Sequence, residues 1–266
     1  MSKLSLSRAW EETTAVLARD SRLFGAVALA LFVLPGLVLN VSMPDMTPGE
    51  LPPVGPWLAV ALIVLLVSLV GQLAVIRLAL GHVTVGEAIA HGGRRLFAYV
   101  VAVLVWIVPI LVIGSGLYGF LEMNQSHPSV AASLALLALT FIGIFLAVRL
   151  MLSSAVASAE NVGPIAILHR SWDLSSGNWW RLFIFLFVFA IGAICLLWAV
   201  ESVVGLLVKT MFDTSGPLTV GNLLIAIVSQ LVSAVLSVTF FVLLARIYVQ
   251  RSEAPASDAS VPRSGT

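Results

Sequence analysis

Charge is what this chain has least of. Only 10% of its 266 residues are Asp, Glu, Lys or Arg, against roughly 25% in a soluble domain. No charged residue occurs from Leu23 to Pro44, Leu51 to Ile76, Leu96 to Leu121, Met123 to Val148, Leu182 to Val200 or Thr214 to Ala245. The single cysteine, Cys195, can form no internal disulfide. Of the four histidines, His82, His91, His127 and His169, no two have the i, i+4 spacing that puts two metal ligands on one helix face. No glycine-rich loop ends in Lys-Ser or Lys-Thr, so a phosphate cradle for ATP is not encoded. Ser202 and the other serines have no His and acid nearby in sequence, and no catalytic motif, cofactor or metal is expected. A net charge of +1 lacks the concentrated basic surface that a nucleic acid requires.

What fills the chain instead is apolar: 60% of residues, with a mean hydropathy of +1.08. A hydrocarbon core about 30 Å thick needs on the order of 20 helical residues. The six uncharged stretches therefore predict six spans and an all-α polytopic membrane protein. Pro35 and Gly36 interrupt the first stretch, which is kept as a span because a bilayer helix tolerates proline when neighbours satisfy the freed carbonyl. It is not read as a cleaved signal, because Glu11, Glu12 and Asp20 precede it and no small-x-small site follows.

Threaded through six spans, Lys3, Arg8, Arg19, Arg22, Arg77, Arg94, Arg95, Arg149, Arg170, Arg181, Arg246, Arg251 and Arg263 fall on one side, and only Lys209 on the other. The positive-inside rule then predicts cytoplasmic termini, with outer loops near Asp45, Glu122 and Asp213.

A threefold repeat is written over this pattern. Arg-Leu-Phe opens the first, third and fifth spans at residues 22, 95 and 181, and Arg77, Arg149 and Arg246 close the even ones, 55, 54 and 65 residues later. The reading is a single domain, 1–251, of three units: 3–83, 84–160 and 161–251. Each unit adds two spans, so successive units face the same way. A disordered cytoplasmic tail, 252–266, follows.

Each unit is expected to start with a helix in the interface plane. In the first, Leu6, Trp10 and Leu17 share a face, and Arg8 with Glu11 has i, i+3 spacing. In the second, Thr84 and Glu87 have capping-box spacing and Gly92-Gly93 is read as the stop. In the third, Asn161 caps, Pro164 opens the first turn, Ile165, Leu168 and Trp172 form a stripe, and Gly177 ends the helix; Arg170 and Asp173 repeat the Arg-acid spacing.

The third unit's segment, Glu160, Gly163-Pro164, Arg170-Ser171-Trp172, Leu174, Gly177-Asn178 and Trp180-Arg181, resembles the membrane domain fused to some glycerophosphodiester phosphodiesterases, and related stand-alone bacterial inner-membrane proteins. The specific likeness covers about Arg149 to Phe183. It implies a bacterial inner (plasma) membrane location and lipid-related work, but no catalysis, since the phosphodiesterase is a separate soluble barrel that nothing here encodes.

The candidate site lies at the cytoplasmic face: Arg77, Arg149, Glu160, Arg170, Trp172, Asp173, Asn178, Arg181 and Arg246. Arg149 and Glu160, eleven residues apart on one continuous helix, would share a face yet stand about 16 Å apart. Each therefore needs a partner elsewhere, and Arg77 with Glu87 has a similar spacing. One reading is a polar cavity lined by Arg77, Arg149, Arg246 and Glu160; the other is that the arginines snorkel to lipid phosphates. Glu201 beside Trp198 is read as emerging at the outer interface, the Ser229, Ser233, Ser237 stripe as a packing face, and Trp179-Trp180 as an interfacial anchor.

The functional expectation is a non-enzymatic membrane protein that works with membrane lipids, with other membrane proteins as further partners. The alternative is a small permease or the membrane subunit of a transporter. Substrate and oligomeric state are not encoded in any motif.

Overall fold

The computed structural model describes residues 6–44, 54–81, 83–123, 129–212 and 219–258. The expected outer-loop positions Asp45 and Asp213, His82, His127, and the tail beyond residue 258 lie outside them.

Among the described residues the chain is helical throughout, with no strand. The helices are α1 (Leu6–Arg19), α2 (Ser21–Ala28), α3 (Leu34–Ser42), α4 (Trp57–Leu80), α5 (Val85–Met123), α6 (Val130–Leu150), α7 (Ser153–Ala159), α8 (Pro164–Ser175), α9 (Trp179–Met211) and α10 (Val220–Asp258). Six rods are long and apolar enough to cross a membrane: Ser21–Ser42, Trp57–Leu80, Val85–Leu121, Val130–Ala159, Trp179–Met211 and Val220–Ser252. This is an all-α, multi-pass membrane protein.

The first rod survives Pro35 by a local change of winding. A π-turn over Leu29–Val33 joins α2 to α3, and the Leu34 N–H bonds to the Leu29 carbonyl, five residues back. Proline lacks an N–H and its ring presses on the carbonyl four residues earlier; one wider turn there removes the conflict without breaking the rod.

Two of the three expected short helices form, α1 and α8, but Trp10, Ile165 and Trp172 stay exposed and neighbouring positions take the buried face. In α1, Ala9 and Thr13 are fully buried against the body of the protein, and Arg8 reaches Glu12 at 2.8 Å, four residues on, where the sequence spacing pointed to Glu11. In α8, Pro164 takes the first turn but Gly163 is the cap residue, not Asn161.

Gly177 follows α8 with φ +77°. A side chain there would meet nothing within 4 Å, so the penalty for adding one is conformational alone. Gly177→Ala is expected to cost about 1–2 kcal/mol, read as a lower melting temperature of the detergent-solubilised protein.

The second surface helix does not exist as a separate element. The Thr84–Glu87 capping box forms, with Thr84 N–H to Glu87 Oε2 at 2.9 Å and Glu87 N–H to Thr84 Oγ1 at 3.3 Å. The helix it opens then runs through Gly92-Gly93 to Met123. Gly92 does not stop the helix, because it is where α5 crosses α4: a β-carbon there would sit 2.8 Å from the Val70 carbonyl. α10 likewise continues as helix to Asp258, into the segment expected to be disordered.

The core lies in the arginine-rich half of the bundle. It is built from Leu73–Ala79 of α4, Val148–Ala157 around the α6–α7 junction, Val242–Ile247 of α10, and Phe24 and Val27 of α2. α7 is the keystone. Its residues Ser153 to Ser158 are all buried, and they are small, so α4, α5, α8 and α10 all close on them. In the opposite half, α5, α6 and α9 leave wide faces exposed, including Leu111, Val112, Phe141, Phe187, Val188 and Leu206. Facing acyl chains as apolar as themselves, such side chains gain nothing by turning toward each other.

Candidate functional site

The arginine-rich end is organised by the break between α6 and α7. After Leu150 the helix bends at Met151 and Leu152 before α7 begins. Arg149 lies before the bend and Glu160 beyond the last residue of α7 in extended backbone, so the shared face expected of them does not form. The Arg149 carbonyl, freed by the bend, accepts from the Ser171 hydroxyl at 3.1 Å and the Ser175 hydroxyl at 3.0 Å. These two buried serines fasten α8 beneath the end of α6.

Glu160 finds its partners further along the chain. One carboxylate oxygen, Oε1, accepts from Arg170 Nε at 3.1 Å and from the Tyr248 hydroxyl at 2.8 Å. Arg170 is thereby engaged away from Asp173, its expected neighbour, and among the described residues no cation pairs with Asp173.

Three arginines act as caps for helices they do not belong to. Arg95 donates to the carbonyls of Ala157 (3.0 Å), Glu160 (2.8 Å) and Val162 (2.6 Å), and to Asn161 Oδ1 (2.9 Å). Arg246 donates to the Ala79 carbonyl at 2.6 Å. Arg251 donates to Leu174 at 2.8 Å and Ser176 at 3.1 Å. In each case a guanidinium sits at the negative end of a helix, where carbonyls lack intrahelical partners. His91 adds a fourth contact of this kind, its Nε2 lying 3.1 Å from the Ser158 carbonyl.

Arg149 is different. Its guanidinium lies 4.8 Å over the Trp172 ring and 5.5 Å over Phe145, while Nε and Nη1 are shut from solvent with no hydrogen-bond partner. Phe145 in turn packs on Trp172 and Trp179, and Trp179 stacks on Phe183 at 5.2 Å. The result is an aromatic belt holding one bare cation at the boundary between α6, α8 and α9.

The proposed polar cavity of Arg77, Arg149, Arg246 and Glu160 is thus not assembled. Arg246 is a cap, Glu160 belongs to Arg170 and Tyr248, and Arg149 is braced by aromatics. Glu87, the sequence companion of Arg77, is turned to Thr84; Arg77 is half-buried near the end of α4. Asn178 precedes α9 without a side-chain capping bond, and Arg181 is exposed on its first turn. Glu201 is exposed on α9, 22 residues from Trp179, or about 33 Å along the axis, which is the width of the hydrocarbon core. In the serine stripe of α10, Ser229 Oγ is buried without a partner.

The family model for a domain of unknown function, DUF7847, matches residues 4–251. The chain belongs to the DUF7847 family. That match takes in α1 to α9 and α10 as far as residue 251, so the DUF7847 unit is the six-span body itself. No curated protein and no solved structure gives a significant match.

Sequence reasoning missed Arg95, Tyr248 and Arg251 as site residues. Arg95 and Tyr248 both lie inside repeat signatures, Arg-Leu-Phe and Arg-Ile-Tyr-Val, which was the available signal. Nothing in those signatures points to acceptors 62 to 88 residues away.

Proposed function

We propose that this is a non-enzymatic protein of a bacterial inner (plasma) membrane, with cytoplasmic termini, that binds phospholipid at its arginine-rich end and serves phospholipid metabolism or membrane organisation. The observation that carries the reading is Arg149: a half-buried cation with no carboxylate partner, braced on Trp172 and Phe145. At the boundary of a bilayer the acceptor that meets such a group is a lipid phosphate. Thirteen basic residues lying on one side against one on the other support the orientation, and the likeness of the Arg149–Phe183 segment to phosphodiesterase-linked membrane domains supports the lipid link.

The test is to purify the protein in mild detergent and quantify bound phospholipid by mass spectrometry. Arg149→Gln is expected to lower retained lipid several-fold with only a modest fall in melting temperature: the shorter, neutral amide loses the charge and the contacts over Trp172 and Phe145, while the backbone carbonyl that holds Ser171 and Ser175 is unchanged. Equal lipid retention by the two proteins at matched abundance refutes the reading, as does wild-type protein free of phospholipid.

A further inference from the structure

Arg77 is half-buried, yet among the described residues it enters no ion pair and caps no helix as Arg95, Arg246 and Arg251 do. None of its nitrogens is among those buried without a partner, so the guanidinium is open to solvent. Contacts on either side fix where it stands. Four residues earlier on α4, the Leu73 carbonyl accepts from the Ser158 hydroxyl of α7 at 3.2 Å. Three residues earlier, the Ala74 nitrogen lies 3.5 Å from where a β-carbon on Gly92 of α5 would sit. Residues three and four apart share a helix face, so Arg77 springs from α4 between α7 and α5, one turn nearer the arginine-rich end. His91 of α5 reaches the same junction, its Nε2 lying 3.1 Å from the Ser158 carbonyl. A carbonyl only accepts, so Nε2 carries the proton and Nδ1 is left over as an acceptor. α7 ends one residue beyond Ser158, at Ala159.

The charges of Arg77, Arg94 and Arg95 all bear on the His91 ring, and no carboxylate does. Glu87 is turned to the Thr84 N–H, and Glu160 to Arg170 and Tyr248. Three guanidinium charges therefore gather where α4, α5 and α7 meet, without an acid to balance them. We propose that Arg77, with His91 beside it, holds the phosphate of a phosphomonoester. A guanidinium open to solvent offers phosphate oxygens a fork of N–H donors. The neutral imidazole chooses between esters: a monoester keeps a P–OH that can donate to His91 Nδ1, whereas a diester has no hydrogen to give. At about pH 7 the monoester also carries roughly 1.5–2 negative charges, against one on a diester, in a junction that lacks negative charge. The site is independent of Arg149, which stands among α6, α8 and α9, and so goes beyond the phospholipid reading above.

The experiment titrates delipidated full-length protein with phosphatidate and phosphatidylglycerol of identical chains, and with glycerol phosphate, read by native mass spectrometry. Phosphatidate is expected to bind roughly fivefold more tightly than phosphatidylglycerol, the size of one partly exposed charge interaction. Arg77→Gln is expected to erase that ratio with the melting temperature unchanged, since the guanidinium supports no other residue. Arg77→Lys is expected to keep part of it, because an ammonium still meets phosphate as a point charge. Arg149→Gln is expected to leave the ratio intact, which separates this site from the proposed function. Equal affinities for the two lipids overturn the proposal, as does a ratio that survives Arg77→Gln. A loss in Arg94→Gln as large as that in Arg77→Gln also overturns it, because diffuse surface charge rather than a site would then hold the anion. A lower melting temperature for ligand-free Arg77→Gln than for Arg94→Gln overturns it by giving Arg77 a structural role. Glycerol phosphate competing as well as phosphatidate supports the site with a soluble source, and its failure to compete while phosphatidate binds supports the site with a lipid source.

Discussion

Arg95→Met is expected to be the most damaging single substitution in the protein, costing about 3–5 kcal/mol and lowering the apparent melting temperature in detergent by roughly 10 °C. One guanidinium satisfies the Ala157, Glu160 and Val162 carbonyls and the Asn161 side chain. Those carbonyls belong to the end of α7 and the turn after it, where the helix has no further residues to donate. Ala157 is buried and Glu160 and Val162 are half-buried, so their orphaned carbonyls keep much of their desolvation penalty. Arg95→Lys should recover less than half of the loss, because a single ammonium cannot fork across four acceptors. Arg94→Met, at the exposed neighbouring position, is the control and should change the melting temperature little. A melting temperature for Arg95→Met equal to that control would refute the capping role.

The second large effect pairs two adjacent residues with opposite signs. At Gly92 a new β-carbon would lie 2.8 Å from the Val70 carbonyl and 3.5 Å from the Ala74 nitrogen; at Gly93 it would meet nothing within 4 Å. Gly92→Ala must push α5 off α4 backbone to backbone, with no flexible side chain to yield, and is expected to destabilise by about 2–3 kcal/mol. Gly93→Ala keeps the crossing and removes a helix-interior glycine, a gain of about 0.5–1 kcal/mol. Melting curves of the two variants, measured side by side, check this. Equal shifts of the same sign would mean that α5 does not cross α4 through Gly92.

The same dipeptide marks where reading the sequence went astray. Gly92-Gly93 has the composition of a helix stop, and Thr84 with Glu87 had already announced a helix start, so a short surface helix was the natural reading. The start is real. The stop is absent because the steric vacancy at Gly92 is filled by another helix's backbone, and a propensity rule cannot know what lies opposite. Asn161 repeats the lesson on a smaller scale: its side chain suits a cap, but it accepts from Arg95 instead, and Gly163 takes the cap position.

The spans themselves were legible because they depend on one quantity, the length of chain without charge, and because a bilayer forces each such length to satisfy its own backbone as a helix. Pro35 did not defeat that reading; the demand was met by one π-turn rather than by breaking the rod. The side-by-side charge pairs were less legible. Arg8 and Arg170 both found acids, yet neither took the residue three positions on. Arg170 chose Glu160 because α7 ends and α8 starts within a few residues, bringing the two chain segments back to back.

The candidate site divides along the same line. That charge concentrates at the arginine-rich end follows from sequence alone, since charge in a chain with so little of it has to gather where water and phosphate are. Which arginines are structural and which is bare could not be read there. Arg95, Arg246 and Arg251 are alike in sequence to Arg149, and what separates them is whether a helix C-terminus from another part of the chain happens to point at them.

The sequence by itself determined an all-α membrane protein, its six spans and the asymmetry of its basic residues, because these follow from local hydropathy and from the solvent on either side. Tertiary structure alone decided that the helix bends after Leu150, that α7 is buried as a keystone, and that Arg149 is braced over Trp172 without a carboxylate partner. Those outcomes depend on which backbone carbonyls and which aromatic faces meet across 23 to 167 residues of chain, and long-range meetings of that kind leave no periodicity to read.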